Sequence, residues 1–239
     1  MNKEEYLNFI IKNHNIYTNK EIAEKLGISI SYVTKIKREN NIPSKIKYDI
    51  NEIQNQILLS GLLGDGNLKR NGLKNYMYRE CHSIKEEEYL KWKFDNLYPL
   101  TKDCSITFSK KRKPTQNDQK GFNTKTLAEL IPYSQLSKSE IISKLNELGL
   151  ILYILDDGWK HSHSKYTDKY NICLAIHGLE EEDKNNLLIQ FEIILGVKGN
   201  IINKKRDTIS FPSKANEVFT KILKKYNLYN LDVVIKKFK

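Results

Sequence analysis

Long apolar runs and paired cysteines are both missing from this sequence of 239 residues. No stretch of about 18 apolar residues occurs, so we expect no membrane-spanning helix and no membrane partner. The first residues lack the basic-then-apolar order of a secretory signal, and we therefore expect a cytoplasmic protein, or one of an organelle matrix if it is organelle-encoded. Cys81, Cys104 and Cys173 are odd in number and form no CxxC pair. Neither a disulfide framework nor a cysteine-rich zinc site is expected.

Positive charge, in contrast, is present in excess. The chain has 40 Lys and Arg residues against 29 Asp and Glu residues, a formal net charge of +11. Such a surplus favours a polyanionic partner, because each phosphate that a protein neutralises releases condensed counterions. Hydrophobic residues make up 39% of the chain and recur periodically along it, which predicts a packed core rather than a disordered chain.

Residues 1–45 have the pattern of a small all-α domain. One amphipathic helix is predicted over residues 4–12, and a second begins at Thr18, whose spacing from Glu21 is that of a capping box. Gly27 supplies the positive φ that ends this helix. A third helix follows, capped by Ser29 or Ser31 and running to residue 38. The polar, proline-containing segment after residue 39 is expected to be a linker.

The run EIAEKLGIS at 21–29, followed by YVTKIKR at 32–38, resembles bacterial helix-turn-helix domains. The resemblance implies that the helix after the turn enters the major groove of DNA with its early residues, while its basic residues hold phosphates. The candidates for contact with the bases are Ser29, Ser31, Tyr32 and Thr34. The candidates for contact with phosphates are Lys35, Lys37 and Arg38. A helical protein–protein module is the alternative.

The remaining sequence contains a concealed duplication. Two nearly all-apolar helices are predicted over residues 53–64 and 145–155, and each ends in an acid followed by glycine, at Asp65 and at Asp157. A carboxylate at a helix C-terminus is disfavoured by roughly 0.3–1 kcal/mol, so two of them at matching positions indicate a nearby cation. The predicted order after each acid is strand, helix, two strands, helix. This repetition predicts a pseudo-twofold pair of halves, residues 48–140 and 141–239.

The segments LLSGLLGDG at 58–66 and LILYILDDG at 150–158 resemble the two motifs of single-chain LAGLIDADG homing endonucleases, in the branch written GLLLGDG and LAYWFMDDG. The resemblance covers residues 48–239. It implies an α+β fold in which a pseudo-twofold pair of αββαββα-like repeats forms a saddle-shaped sheet surface, here preceded by the small all-α helix-turn-helix domain. The small residues Ser60, Gly61 and Gly64 are expected to let the first motif helix approach the second closely.

By this resemblance, the chain is a site-specific endonuclease that makes a metal-dependent double-strand break in a long DNA target. Asp65 and Asp157 would bind Mg²⁺, with two or three divalent ions in all, because hard oxygen ligands suit that ion. The backbone carbonyls of Gly64 and Asp156 would complete the metal shells. In each half a lysine would help to polarise the attacking water. The candidates are Lys138 in the first half and Lys236, with Lys237 as the alternative, in the second.

Basic turns at equivalent positions of the two halves are expected to contact phosphates of double-stranded DNA. These residues are Lys110, Lys111, Arg112, Lys113, Lys204, Lys205 and Arg206. Two other functions stay open: a helix-turn-helix transcriptional regulator with a catalytically silent core, and an intron maturase that binds intron RNA. The paired acids favour the enzyme, since a scaffold does not need them. Because both motifs lie in one chain, we expect a monomer.

Overall fold

A computed structural model describes most of the chain in two compact units, Met1–Asp49 and Ile50–Lys239. The described residues are 2–43, 48–71, 75–110, 118–162, 170–203 and 207–238. Over these ranges, none of the helices combines the length and the apolar character that crossing a membrane requires.

The first unit consists of three helices, α1 (Lys3–Asn13), α2 (Asn19–Leu26) and α3 (Ile30–Glu39). The capping box at the start of α2 is confirmed, and Gly27 ends that helix with a φ of 65°. Ser29, rather than Ser31, caps α3 by accepting a hydrogen bond from the backbone N–H of Tyr32. The helices share one apolar core, whose buried members are Ile10, Ile22, Ala23, Leu26, Val33 and Ile36.

Lys37 differs from the other basic residues of α3. Its surface is only 1% exposed, and burial lowers the pKa of its ammonium group. The helix turns Val33, Ile36 and Lys37 toward the core, whereas Lys35 and Arg38 stay exposed. The prediction that Lys37 binds a phosphate is therefore wrong, because the residue lies on the core-facing side of the amphipathic helix.

The second unit contains two halves with the same order of elements, except that the second half ends in an additional helix. The first half has α4 (Glu52–Leu63), β1 (Gly66–Asn71), β2 (Asn75–Ser83), α5 (Glu87–Asn96), β3 (Thr107–Ser109), β4 (Gln119–Asn123) and α6 (Lys138–Ser143). The second half has α7 (Glu147–Asp157), β5 (Gly158–Ser162), β6 (Tyr170–Ala175), α8 (Glu181–Leu195), β7 (Asn200–Asn203), β8 (Thr208–Phe211), α9 (Ala215–Lys225) and α10 (Asp232–Phe238). Short 3₁₀ turns at Ile84–Glu86, Ala128–Leu130 and Pro132–Gln135 complete the first half.

Each half forms an antiparallel four-stranded sheet, with strand orders β1-β2-β4-β3 and β5-β6-β8-β7. The α+β class is thereby confirmed. The sequence pattern predicted one strand between each acid and the next helix, but the structure has two. The additional strands, β1 and β5, begin at Gly66 and Gly158, directly after the acids. The pattern missed β1 because its residues are polar and mostly exposed, so they lack apolar alternation.

The strand register allows the two halves to be compared position by position. In the first half Gly66 lies opposite Glu80, and in the second Gly158 lies opposite Leu174. Both glycines directly follow a motif acid, so Glu80 of β2 and Leu174 of β6 occupy equivalent places. The sheets and helices thus present the same scaffold around Asp65 and Asp157, with different side chains on it.

Candidate active site

The two motif helices, α4 and α7, pack side by side and are joined at both ends. Near their starts, Gln56 donates to the carbonyl of Lys144 at 3.0 Å and accepts from the backbone N–H of Asn146 at 3.0 Å. At their other ends, a Cβ added to Gly64 would lie 2.8 Å from the Cβ of Asp156. Glycine is required for so close an approach. Asp65 and Asp157, which follow Gly64 and Asp156, therefore leave the helix pair at the same end.

Gly61 and Gly66 make room for a tyrosine rather than for α7. A Cβ at Gly61 would lie 1.8 Å from the hydroxyl oxygen of Tyr78, and one at Gly66 would lie 2.3 Å from it. The Tyr78 hydroxyl donates to Glu80 at 2.6 Å. The expectation that small residues allow helix–helix approach therefore fits Gly64. It is wrong for Gly61, because the open side of that glycine faces β2.

A row of polar side chains lies buried on the core face of β2. Tyr78, Glu80 and His82 alternate along the strand and are at most 3% exposed. His82 Nε2 lies 2.7 Å from Glu80 Oε1. Lys93 of α5 is fully buried and donates to Glu80 and, at 2.8 and 3.0 Å, to the two carboxylate oxygens of Asp156. The row is thus hydrogen bonded and partly neutralised from within.

Asp156 belongs to the second motif, but its carboxylate is held by the first half. Besides Lys93, the hydroxyl of Tyr89 donates to its Oδ1 at 2.7 Å. The backbone carbonyl of Asp156, which the resemblance assigns to a metal shell, accepts from Lys237 at 3.0 Å. Lys237 also donates to the carbonyl of Leu155. The end of α7 is therefore fixed through both its side chain and its backbone.

Asp65 reaches the same cluster from the other helix. Its side chain is 40% exposed, and its Oδ2 lies 3.3 Å from His82 Nδ1. Asp65, His82 and Asp156 offer ligand atoms that all lie within 4.8 Å of one another. Asp157 is outside this group of three, although its charge acts on Asp65. The helix ends therefore form an arrangement of oxygen and nitrogen atoms that can hold a cation.

The acids at the helix ends lack sufficient positive charge around them. Partial burial, together with the charge of Asp156, raises the pKa of Asp65 to about 7. Partial burial and the same neighbour raise the pKa of Asp157 to about 6. Carboxylates in such surroundings favour either a proton or a cation. A divalent ion would stabilise the ionised form of both carboxyl groups.

His82 and Glu80, which lie beneath Asp65, differ from the motif acids because hydrogen bonds and opposite charges stabilise their charged forms. Burial alone would lower the pKa of His82, but its hydrogen bonds to Glu80 and Glu86 raise it to about 10. Burial would likewise raise the pKa of Glu80, yet Lys93 and His82 hold it at about 2. The paired row beneath Asp65 is therefore charged on both sides at neutral pH.

The three candidate lysines lie in different surroundings. Lys236 is exposed and donates to Glu86 at 2.9 Å. Lys237 is buried against the end of α7, and burial lowers its pKa. Lys138, at the start of α6, donates to the carbonyl of Gly178. Within the described chain, no hydrogen bond or ion pair of Lys138 or Lys236 involves either motif acid. The structure thus places Lys237, the alternative, nearest to the second motif.

The basic turns are described only in part. Lys110 is exposed directly after β3. Lys111, Arg112, Lys113, Lys204, Lys205 and Arg206 lie outside the described residues. Sequence reasoning missed Glu80, His82 and Lys93. A signal was present in the alternation of Tyr78, Glu80 and His82, since three polar residues on one face of a strand are unusual where that face must cover a core.

The fold and the site together define a class of proteins with two αββαββα repeats and two acids at the joined ends of a central helix pair. The model of the LAGLIDADG DNA endonuclease family matches residues 55–219. The chain therefore belongs to the LAGLIDADG DNA endonuclease family.

One solved structure agrees with this assignment at the level of the fold, and others are matched with lower TM-scores. The chain is similar to the homing endonuclease I-WcaI bound to its DNA recognition sequence, with a TM-score of 0.59 and 19% identity over 81% of this chain and 88% of that one. It also matches the LAGLIDADG homing endonuclease I-GzeII in complex with its DNA target (TM-score 0.40, 12% identity, 77% and 85% covered). A third match is I-DmoI in complex with DNA and Mn (0.40, 14%, 68% and 90%). None of the curated protein sequences matches the chain.

Proposed function

We propose that this protein is a homing endonuclease that makes a double-strand break in a long DNA target with the help of divalent ions. The observation that carries the proposal is the meeting of Asp65 and Asp157 at the joined ends of α4 and α7. Both acids have raised pKa values, as carboxylates do where a cation is needed. Family membership supports the same activity.

The residues present fit Mg²⁺, which prefers carboxylate and carbonyl oxygens and keeps several waters. When bound, such ions would activate a water and stabilise the leaving oxygen on each strand. Asp65 and Asp157 would supply carboxylate oxygens, and the carbonyl of Gly64 a further one. Lys237 holds the end of α7 in place, while the exposed Lys236 and Lys138 stay candidates for orienting water.

The outer face of the first sheet is suited to contact with DNA. Asn67, Arg79 and Asn123 lie in one row across β1, β2 and β4, and all three are exposed. Arginine and asparagine are the residue types that bind guanine and adenine edges in the major groove. Lys69 and Lys110 add exposed positive charge. The basic residues at 111–113 and 204–206 are included in this proposal by their place in the sequence.

The direct test is cleavage of DNA that contains the native insertion locus of this protein, with Mg²⁺ added. We expect the full chain to cut both strands, and Asp65→Asn and Asp157→Asn each to abolish the double-strand break while leaving DNA binding intact. Glu182→Gln, which changes an exposed acid of α8, is the matched control and should cut normally. Tight binding of DNA that stays uncut would instead favour a regulator, and RNA-dependent splicing would favour a maturase.

The first unit is proposed to bind DNA as a helix-turn-helix domain. Ser29, Ser31 and Thr34 are exposed, and Tyr32 is half-buried, at the start of α3. Lys35 and Arg38 are exposed further along the same helix. Removing one phosphate contact lowers the slope of affinity against salt by about 1.

We therefore expect Lys35→Ala and Arg38→Ala each to weaken DNA binding in a salt-dependent way, whereas Lys12→Ala on α1 leaves it unchanged. The measurement is a filter-binding titration at several salt concentrations. Equal affinity for all three variants and the unchanged chain would exclude the proposal. Size-exclusion chromatography with and without DNA tests whether the protein acts as a monomer.

A further inference from the structure

His82 stands apart from the other groups of the site because it brings a nitrogen atom to a pair of acids. It is 3% exposed, and its Nδ1 lies 3.3 Å from Oδ2 of Asp65. Atoms that bind one ion at about 2.1 Å each are roughly 3 to 4 Å apart. The spacing between these two atoms is therefore that of two ligands of a single ion.

The orientation of the imidazole is set by a second carboxylate. Glu80 Oε1 lies 2.7 Å from Nε2, on the far side of the ring from Asp65. Glu80 is itself held by the Tyr78 hydroxyl and by Lys93. A carboxylate that accepts from one ring nitrogen fixes the tautomer and turns the lone pair of the other nitrogen toward a metal. The environment of His82 is of this kind.

The charges around the cluster leave room for one divalent ion. The charges of Asp156 and Asp157 act on Asp65, and those of His82 and Lys93 oppose them. The ammonium group of Lys93 is already shared between Glu80 and Asp156. A divalent cation would therefore add positive charge where the acids of the helix ends lie together.

We propose that Asp65 and His82 together bind one divalent transition-metal ion, of the class of Mn²⁺, Co²⁺ or Zn²⁺, with the Asp156 carboxylate as a third ligand. The inference shares Asp65 with the proposed function but adds a nitrogen ligand. Imidazole suits transition metals, whereas Mg²⁺ selects oxygen ligands. On binding, the ion replaces the proton at Nδ1, which passes to solvent.

At the equivalent place, the second half carries an apolar residue instead of this ligand. Ile176, which directly follows β6, occupies the place equivalent to His82, and it is fully buried. A site built on Asp157 would therefore lack a histidine at this place, although the charge of His177 acts on Asp157. The two halves should differ in ion preference, and the transition-metal site should lie in the first half only.

The experiment uses the full chain with Mn²⁺ alone, followed by electron spin echo spectroscopy and by titration of ion binding. We expect a nitrogen hyperfine coupling of a directly bound imidazole in the unchanged protein. His82→Gln should remove this coupling and weaken Mn²⁺ binding at least about tenfold, with less than about a twofold change for Mg²⁺. His161→Gln, which changes an exposed histidine of β5, is the matched control and should change neither.

A second measurement is available if His82→Gln does not fold. Histidine labelled with ¹⁵N is incorporated into the unchanged protein, and the nitrogen hyperfine coupling changes if a histidine binds the ion. Absence of nitrogen coupling in Mn²⁺-loaded protein, or coupling that persists in folded His82→Gln, would overturn the proposal. If cleavage depends on Asp65 but no nitrogen coupling is found, only this inference fails. If coupling is present but the protein cuts no DNA, only the proposed nuclease activity fails.

Discussion

The two halves of the second unit share a backbone pattern but differ in what they bury. On the core face of β2 the first half places Tyr78, Glu80 and His82. The equivalent residues of the second half are Ile172 and Leu174 of β6 and Ile176 directly after it. The helix that follows repeats the contrast. Lys93 is buried in α5, and Leu187 is buried in α8 at the same distance along the chain.

The difference shows that the fold itself does not need the polar row. At the equivalent places of the second half, Leu174 and its neighbours are apolar. Apolar packing is the less costly solution there, because the attraction within a buried ion pair rarely exceeds the desolvation penalty of its charges. The first half therefore retains Glu80, His82 and Lys93 for another reason. Their contacts with Asp65 and Asp156 connect that reason to the site.

The largest effect is expected where a buried charge loses its partner. Lys93→Met would leave Glu80 and Asp156 without their ammonium group, at a cost of roughly 3–5 kcal/mol in the free energy of unfolding. Leu187→Met, at the equivalent place, should cost less than about 1.5 kcal/mol. Urea denaturation of both variants measures the contrast. Equal losses would mean that Lys93 is only a packing residue.

A smaller difference is expected between the glycines of the two motif helices. Gly61→Ala brings a methyl group within 1.8 Å of the buried, hydrogen-bonded Tyr78 hydroxyl and should cost roughly 1–3 kcal/mol. A Cβ at Gly149 would lie 2.2 Å from Oε1 of the buried Gln56, which is hydrogen bonded to Lys144 and Asn146, and 2.8 Å from the end of the Leu145 side chain. Gly149→Ala should therefore also lose stability, but less than Gly61→Ala, because its contacts are longer. Thermal unfolding compares the two, and a larger loss for Gly149→Ala would contradict this account.

A still smaller difference is expected in how the pH affects metal binding by the two acids. The pKa of Asp65 is raised to about 7 and that of Asp157 to about 6, so each gains a proton, and loses its capacity to bind metal, as the pH falls through its own value. Between pH 8 and pH 6 the ion concentration needed at Asp65 should rise about tenfold, against about twofold at Asp157.

Cleavage of each labelled strand at a series of metal concentrations tests this difference, with Asp65→Asn and Asp157→Asn showing which strand belongs to which acid. Parallel pH profiles for the two strands would contradict it. The stability of the metal-free protein should change in the opposite sense. A carboxyl group with a raised pKa destabilises the folded state increasingly as the pH rises toward that pKa, so the metal-free second unit should lose stability between about pH 4 and pH 7.

The sequence was informative wherever a residue acts through local geometry. The capping box at Thr18, the turn at Gly27 and the two acid–glycine helix ends all depend on neighbours within a few positions. The strands β1 and β5 were not predicted, because polar or exposed strands lack the alternation of apolar and polar residues that indicates a strand. Lys37 was misplaced because its charge suggested the surface, although its spacing from Val33 and Ile36 put it on the buried face.

The alternation along β2 hinted at the polar row, but the partners of its residues could not be predicted, because they come from distant segments of the chain. Glu80 and Lys93 are joined only once α5 has folded onto β2, and Asp156 lies 63 residues after Lys93. Each residue taken alone reads as an ordinary exposed charge. Only the packing of the two halves shows that these charges are paired and buried.

The hydrogen bonds of Tyr89 and Lys93 to Asp156 also limit which halves could be combined into a new protein. A symmetric protein made from two first halves would have Gly64 at the place of Asp156. Each Lys93 would then lack the carboxylate to which it donates a hydrogen bond. One made from two second halves would press the carboxylate of Asp156 against Leu187. The two halves are therefore complementary, and we expect that they can be exchanged with those of a relative only together.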